Sequence, residues 1–263
     1  MTRVKAKKHL GQHFLKDQNI AQQIVESLTN TPKKVLEVGP GMGVLTQYLV
    51  QRPEIDFQVI EIDTESVDYL KEHFPQLQSG IIYGDFLKLN LADLYTEPFS
   101  LIGNFPYNIT GPIFFKVFEN RNLIPQVVGM IQKEVAERLA AGPGSKTYGI
   151  LSVLLQAFYD IEYLFTVNEH VFSPPPRVKS AVIRLVRNDV ATIDCDEKLF
   201  VRVVKAIFNQ RRKAIRNSIK VIDFDREAIN DHDFLTRRPE QMSVQDFIEL
   251  TRLVQDNPRK QKE

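Results

Sequence analysis

Lys34-Val-Leu-Glu-Val-Gly39-Pro-Gly41-Met-Gly43 runs a short apolar stretch directly into three glycines spaced by two, and this junction decides the fold. A run of that length ending in turn residues reads as a buried strand. Glycines at its end let the backbone turn sharply and approach a ligand closely, as happens where an open α/β sheet forms its ligand crevice. Similar runs follow at Phe57-Gln-Val-Ile-Glu-Ile-Asp63, Ile81-Ile-Tyr-Gly-Asp85, Leu101-Ile-Gly-Asn104 and Val127-Val-Gly-Met-Ile131. Helical patterns occur near 18–29, 43–51, 64–74, 110–120 and 147–158, and such alternation predicts a mostly parallel sheet with helices on both faces. Tyr159-Asp-Ile-Glu-Tyr-Leu-Phe-Thr-Val167 and Ser180-Ala-Val-Ile-Arg-Leu-Val186, on either side of the loop Phe172-Ser-Pro-Pro-Pro176, read as a closing pair that brings the sheet to seven strands. Beyond Asn188-Asp189 the pattern is wholly helical, with Phe200, Val203, Val204, Ile207 and Phe208 on one face. The expectation is an α/β domain over residues 1–190 and a small all-α domain over 191–263.

Composition excludes several classes. The charged fraction of 25% and apolar fraction of 43% are those of an ordinary globular chain. No apolar run approaches the roughly eighteen residues of a membrane helix. The basic start, Met1-Thr-Arg-Val-Lys-Ala-Lys-Lys8, is not followed by an apolar segment, so no secretory signal is expected and the cytoplasm is the expected location. Cys195 is the only cysteine, which excludes an internal disulfide and fits a reducing compartment. The five histidines are scattered without metal-ligand spacing, so no metal is expected. The net charge of +1 is unevenly spread: residues 1–16 carry +5 and residues 177–220 carry +8, leaving −12 for the remainder. Two basic segments on an acidic body suggest a face for a polyanion.

The ends of successive strands hold the chemistry. The first ends in Gly39 and Gly41, the second in Glu61, the third in Asp85 and the fourth in Asn104, so these side chains should line one crevice. An acid about twenty residues beyond the glycines commonly takes ribose hydroxyls. A nicotinamide site would use a similar loop and acid, but Val44 stands where its pattern wants a third glycine to bring a helix N-terminus against a pyrophosphate. S-adenosylmethionine, which has ribose and adenine but no phosphate, fits better. Gly142-Pro-Gly144-Ser-Lys146-Thr147 looks like part of a phosphate loop, but Ser145 replaces the required glycine and a helix precedes it, so it reads as a helix-to-helix connection.

Asn104-Phe105-Pro106-Tyr107 brings a carboxamide, a backbone carbonyl and an aromatic face to one strand end. The amide oxygen of Asn104 and the carbonyl of Phe105 can each accept an N–H from the exocyclic amine of adenine, drawing its nitrogen toward a tetrahedral, nucleophilic shape. Tyr107 offers a stacking surface for the base.

With the glycine loop, Glu61, Asp85 and Asn104-Phe-Pro-Tyr107, the chain resembles the ribosomal RNA adenine dimethyltransferase family, and most of all its bacterial small-subunit (16S) branch. The likeness extends to Leu10-Gly-Gln-His-Phe-Leu15, Gln132-Lys-Glu-Val135, Ser145-Lys-Thr-Tyr-Gly149, Val171-Phe-Ser-Pro-Pro-Pro-Arg-Val178 and Phe208-Asn-Gln-Arg-Arg-Lys-Ala-Ile-Arg-Asn217. The resemblance implies a Rossmann-like class I methyltransferase that uses S-adenosylmethionine to dimethylate the amino groups of adjacent adenosines. The target implied is a loop near the 3′ end of small-subunit ribosomal RNA, during biogenesis of that subunit and within a pre-assembled small ribosomal subunit. It also implies cofactor contacts from His13, Leu15, Gly39, Gly41, Glu61, Asp85 and Asn104, with His13 standing where the family usually has asparagine. Asn104 and Tyr107 would hold the adenine and Phe172 would stack on its other face. Lys7, Lys8, Arg211, Arg212, Lys213 and Arg216, the last four expected on a tail helix, would grip RNA phosphates, and the protein is expected to act as a monomer. A large-subunit methyltransferase of the antibiotic-resistance type and a non-catalytic ribosome-assembly factor are the alternatives.

Overall fold

The computed structural model describes residues 4–29 and 32–259. They form two compact units. The first runs up to Ala136 and resumes over Asp160–Arg187, while the second takes Glu137–Tyr159 and the chain from Asn188 onward. The expected boundary near 190 marks only the last crossing; residues 137–159, expected in the first domain, belong to the second.

In chain order the first unit contains β1 (Phe14–Leu15), α1 (Gln18–Glu26), β2 (Lys34–Val38), α2 (Thr46–Leu49), β3 (Asp56–Glu61), α3 (Thr64–His73), β4 (Ile81–Tyr83), α4 (Leu91–Leu94), β5 (Phe99–Asn104), α5 (Thr110–Glu119) and β6 (Gln126–Gln132). After α6 (Lys133–Ala140) and α7 (Ile150–Gln156) come β7 (Tyr159–Val167), β8 (Phe172–Ser173) and β9 (Ser180–Arg187). The seven-stranded sheet has the order β4-β3-β2-β5-β6-β9-β7. β2, β3, β4, β5 and β6 are mutually parallel, and β9 runs antiparallel to β6. A separate two-stranded ribbon pairs Phe14 with Ser173 and Leu15 with Phe172; neither of its strands was anticipated, because two-residue strands leave no periodicity to read.

Local chemistry sets the element ends. Gly39, Gly41 and Gly43 have φ of +68°, +56° and +76°, a region that L side chains avoid. They consume the first turn of the helix expected at 43–51, which therefore starts only at Thr46. The Asp17 carboxylate accepts from the amides of Asn19 and Ile20 and so starts α1, whose Ala21, Ile24 and Val25 are buried. That helix packs in one apolar cluster with Leu15, Val35, Leu45, Ile102, Met130 and Phe172.

The second unit is helical, as expected: α7, α8 (Glu197–Phe208), α9 (Ile215–Ser218) and α10 (Val244–Asp256) with short 3-10 turns between them. α8 buries Phe200, Val203, Val204, Ile207 and Phe208, and the Phe208 ring packs against Tyr148 and Phe247 at centroid distances of 6.2 and 5.7 Å. Contacts of α7 with α8 and α10 explain why 137–159 joins this unit. Residues 142–147 connect α6 to α7, as the sequence suggested. Among the described residues no helix is long and apolar enough to cross a membrane.

Candidate active site

A crevice of about 170 Å³ opens at the carboxyl ends of β2, β3, β4 and β5. Gly39, Gly41, Glu61, Asp85, Asn104 and Tyr107 line it, and residues 10–14 close it from the other side, including His13. The strand order thus brings together side chains spread over nearly a hundred residues.

Glu61 is buried, 4% exposed. One carboxylate oxygen accepts from the Gly41 amide at 3.0 Å, and the other accepts from the amides of Ile62 and Asp63 at 2.8 and 2.9 Å. Burial raises its pKa, and these three donors oppose the rise. They also fix the carboxylate's orientation while leaving lone pairs for a ligand hydroxyl. Asp85 accepts from the Leu87 amide at 3.0 Å. Beneath the glycine loop lies Glu37, 1% exposed, whose carboxyl burial pushes up to about 8 and which accepts the Thr46 hydroxyl at 2.7 Å.

Asn104 is held by a residue 91 positions away: its Nδ2 donates to the His13 carbonyl at 2.9 Å. A carbonyl only accepts, so the amide nitrogen must face His13 and the oxygen must point elsewhere. Because this contact uses the backbone carbonyl, it does not depend on which side chain residue 13 carries. The His13 ring is engaged separately, with Nδ1 2.8 Å from the Pro174 carbonyl and its centre 5.4 Å from that of the Tyr107 ring. The Tyr107 hydroxyl lies 2.6 Å from Ser180 Oγ at the start of β9, and burial raises its pKa. Phe105 turns inward, 1% exposed. Its ring rests on Gly103 and Gly129, which face each other across β5 and β6. An added Cβ would meet that ring at 2.8 Å from Gly103 and 2.6 Å from Gly129. The two glycines form the slot that seats the turn bearing Asn104 and Tyr107.

Residues 7–15 lie across the crevice as a strap. Lys7 Nζ donates to the Asp63 carboxylate and stands 3.2 Å from Glu65 Oε1, while Gln12 Nε2 reaches Asp63 at 3.3 Å. Burial alone would raise the Asp63 pKa, but Lys7 and Gln12 hold it below the usual carboxylate value. The Phe14 ring covers Gly41, where an added Cβ would lie 2.8 Å from it. Gln12, Asp63, Phe14, Gly103, Gly129 and Ser180 were not singled out from sequence. The one available signal was Asp63 preceding a helix, as a capping residue does.

Several expected residues have other placements. Leu15 is 4% and Phe172 1% exposed; paired across the ribbon, both enter the apolar cluster, and Phe172 presents no open ring face to the crevice. Leu15 reaches only a recess of about 30 Å³ beside Glu37 and Asn104. Lys7 is committed to Asp63 and Glu65 instead of being free for phosphates. Arg211 donates to the Lys146 carbonyl and lies 3.7 Å from Glu240 Oε2, bracing the 142–147 loop. Arg211, Arg212 and Lys213 sit on the turn after α8, not on a helix, and Arg216 is in α9. Lys8, Arg212, Lys213 and Arg216 are exposed. Among the described residues no group of three or more His, Cys, Asp or Glu is placed to hold a metal ion.

The crevice lining includes two carboxylates and no lysine or arginine. The Gly41 amide, which would otherwise face an anion, is taken by Glu61. This electrostatic lining opposes a pyrophosphate and favours a ligand that carries hydroxyls, an amine-bearing ring and positive charge. The residues therefore fit S-adenosylmethionine.

A family model described as ribosomal RNA adenine dimethylase matches residues 3–255. The chain is 60% identical over 256 residues to the ribosomal RNA small subunit methyltransferase A of Cytophaga hutchinsonii, covering 97% of this chain and 99% of that one. The protein of the same name from Bacteroides thetaiotaomicron is 59% identical, with coverage of 97% and 96%. Among solved structures, a dimethyladenosine transferase from Plasmodium falciparum superimposes with a TM-score of 0.76 at 23% identity, covering 90% and 96% of the two chains. The 23S rRNA methyltransferase ErmE follows at 0.67 and 25% identity, covering 91% and 99%. The fold is that of a class I methyltransferase.

Proposed function

The chain belongs to the ribosomal RNA adenine dimethylase family, and from that premise we propose that it dimethylates the exocyclic amine of adenosines in small-subunit ribosomal RNA. The observation that carries this reading is the Asn104 carboxamide, turned by the His13 carbonyl so that its oxygen is available to an amine in a crevice whose lining holds no lysine or arginine.

Gly39, Glu61 and Asp85 would hold S-adenosylmethionine, which supplies an electrophilic methyl group when bound. Glu61 is preset by three backbone donors to receive ribose hydroxyls. Asn104 Oδ1 and the Phe105 carbonyl accept the two N–H bonds of the target amine and keep its lone pair aimed at the transferred carbon. After one methyl addition a single N–H remains and still finds an acceptor. The Tyr107 ring, held through its hydroxyl by Ser180, offers one stacking surface. Positioning of this kind, with acceptors arranged before the base arrives, supplies the rate. The base must leave its stack to reach these groups, at a cost of a few kcal/mol.

The substrate we propose is a pair of adjacent adenosines in a loop near the 3′ end of the RNA, within an assembled or assembling small subunit in the cytoplasm, with the enzyme acting as a monomer. Relatives 54–60% identical that bear the small-subunit name support this choice over large-subunit RNA. Lys8, Arg212, Lys213 and Arg216 are exposed cations that could meet phosphates. The test is methyl incorporation from labelled S-adenosylmethionine into undermethylated small subunits, with large subunits in parallel, for wild type and Asn104→Ala. Label recovered as dimethyladenosine from small-subunit RNA and lost in the variant is expected. Cofactor binding without transfer to either subunit would refute the reading.

A further inference from the structure

The loop after β4 bears Gly84, Asp85, Phe86 and Leu87, all lining the crevice, yet it is irregular backbone that must be held from outside. The holding group is Lys116 on α5. Its Nζ donates to the carbonyls of Leu87, at 3.1 Å, and Leu89, at 2.5 Å. It also stands 5.5 Å from the centre of the Phe86 ring. Leu87 is gripped through both of its backbone groups, since its amide donates to Asp85 at 3.0 Å while its carbonyl accepts from Lys116. The ammonium is half-buried, and a charged donor in that setting makes stronger bonds than a neutral one. Burial lowers its pKa, and the carboxylates of Glu119 and Asp85 oppose that shift.

We propose that Lys116 is a positioning residue for the cofactor: it fixes the loop that carries Asp85 and Phe86, and cofactor affinity depends on it while methyl transfer at saturation does not. The inference rests on the reading of the crevice as a site for S-adenosylmethionine. Lys116 itself does not line the crevice, and the α5 helix that carries it follows the Asn104–Tyr107 turn directly. The base end of the cofactor site and the target-amine site are thereby referred to one helix.

The test compares wild type with Lys116→Met, which keeps the stem and loses the donors, and Lys116→Arg, which restores both charge and donors. Three quantities are read: dissociation constants for S-adenosylhomocysteine by calorimetry, KM and kcat for S-adenosylmethionine, and hydrogen exchange of the amides at 85–89. In Lys116→Met the dissociation constant and KM should rise about tenfold, the loss of roughly one charge-assisted hydrogen bond. Expected alongside are kcat and the KM for RNA within about twofold of wild type, faster exchange at 85–89, and recovery of these values in Lys116→Arg. A folded Lys116→Met with unchanged cofactor affinity overturns the proposal, even if its melting temperature falls. Wild type that fails to bind S-adenosylhomocysteine overturns the reading of the crevice, and this inference with it.

Discussion

Replacing Gly129 by alanine should disable the site from beneath. Gly129 lies in the middle of β6 and touches no ligand position, and its φ is outside the left-handed region, so alanine adds no backbone strain. The added Cβ would lie 2.6 Å from Cε2 and 3.0 Å from Cδ2 of Phe105. Carbon atoms settle at about 3.5–4.0 Å, so the ring must retreat by about 1 Å. Overpacking of this kind costs about 1–3 kcal/mol, which a domain stable by about 5–15 kcal/mol survives folded. The retreat is passed to Asn104 and Tyr107 on either side of Phe105, and a displacement of about 1 Å in a reacting group costs on the order of a hundredfold in rate. The assay is kcat with both substrates saturating, alongside thermal unfolding. Gly111→Ala is the control: nothing lies within 4 Å of its Cβ, so activity should be unchanged. Phe105→Leu added to Gly129→Ala should restore part of the rate by freeing the slot. A folded Gly129→Ala with activity within threefold of wild type would refute the idea that the glycine slot seats the catalytic turn.

Four further outcomes are expected. The Glu37 carboxyl, at about 8 when folded against an ordinary 4.5, binds its proton more tightly in the folded state. Its contribution to stability is therefore greatest below about pH 4.5 and declines as pH rises toward 8, by at most about 1.4 kcal/mol per pH unit. Urea unfolding from pH 6 to 9 should show wild type losing stability relative to Glu37→Gln, and a pH-independent difference between them would contradict the assignment. Ser180→Ala removes the partner of the Tyr107 hydroxyl; kcat/KM for RNA should fall about fivefold, near 1 kcal/mol, with cofactor KM unchanged and with no further loss on adding Tyr107→Phe. Replacing Arg212 and Lys213 by alanine should flatten the dependence of log RNA affinity on log salt by about 1.4–1.8, without altering S-adenosylhomocysteine binding. Arg211→Ala should instead lower the melting temperature, since that guanidinium braces the Lys146 carbonyl.

What the chain determined by itself is the frame and its sign pattern. The apolar runs, the Gly39-Pro-Gly41-Met-Gly43 turn, the acids and amide at successive strand ends, the helical tail and the two basic segments are all properties of residues near one another along the chain. Strand period, positive φ and side-chain chemistry act locally, so they can be read locally. Tertiary structure decided which of those groups are free to act. Lys7 is engaged by a carboxylate 56 positions away, Arg211 by a carbonyl 65 positions away, and Asn104 is oriented by a carbonyl 91 positions away. Phe172 is aromatic and follows a family motif, yet its pairing with Leu15 takes its ring into the core. The transfer of residues 137–159 to the helical unit has the same origin, since α7 packs on α8 and α10. A hydrogen bond, an ion pair or a contact at 2.6 Å depends on which atoms share a few ångströms of space, and neighbours in space are set only once the strands have taken their order in the sheet.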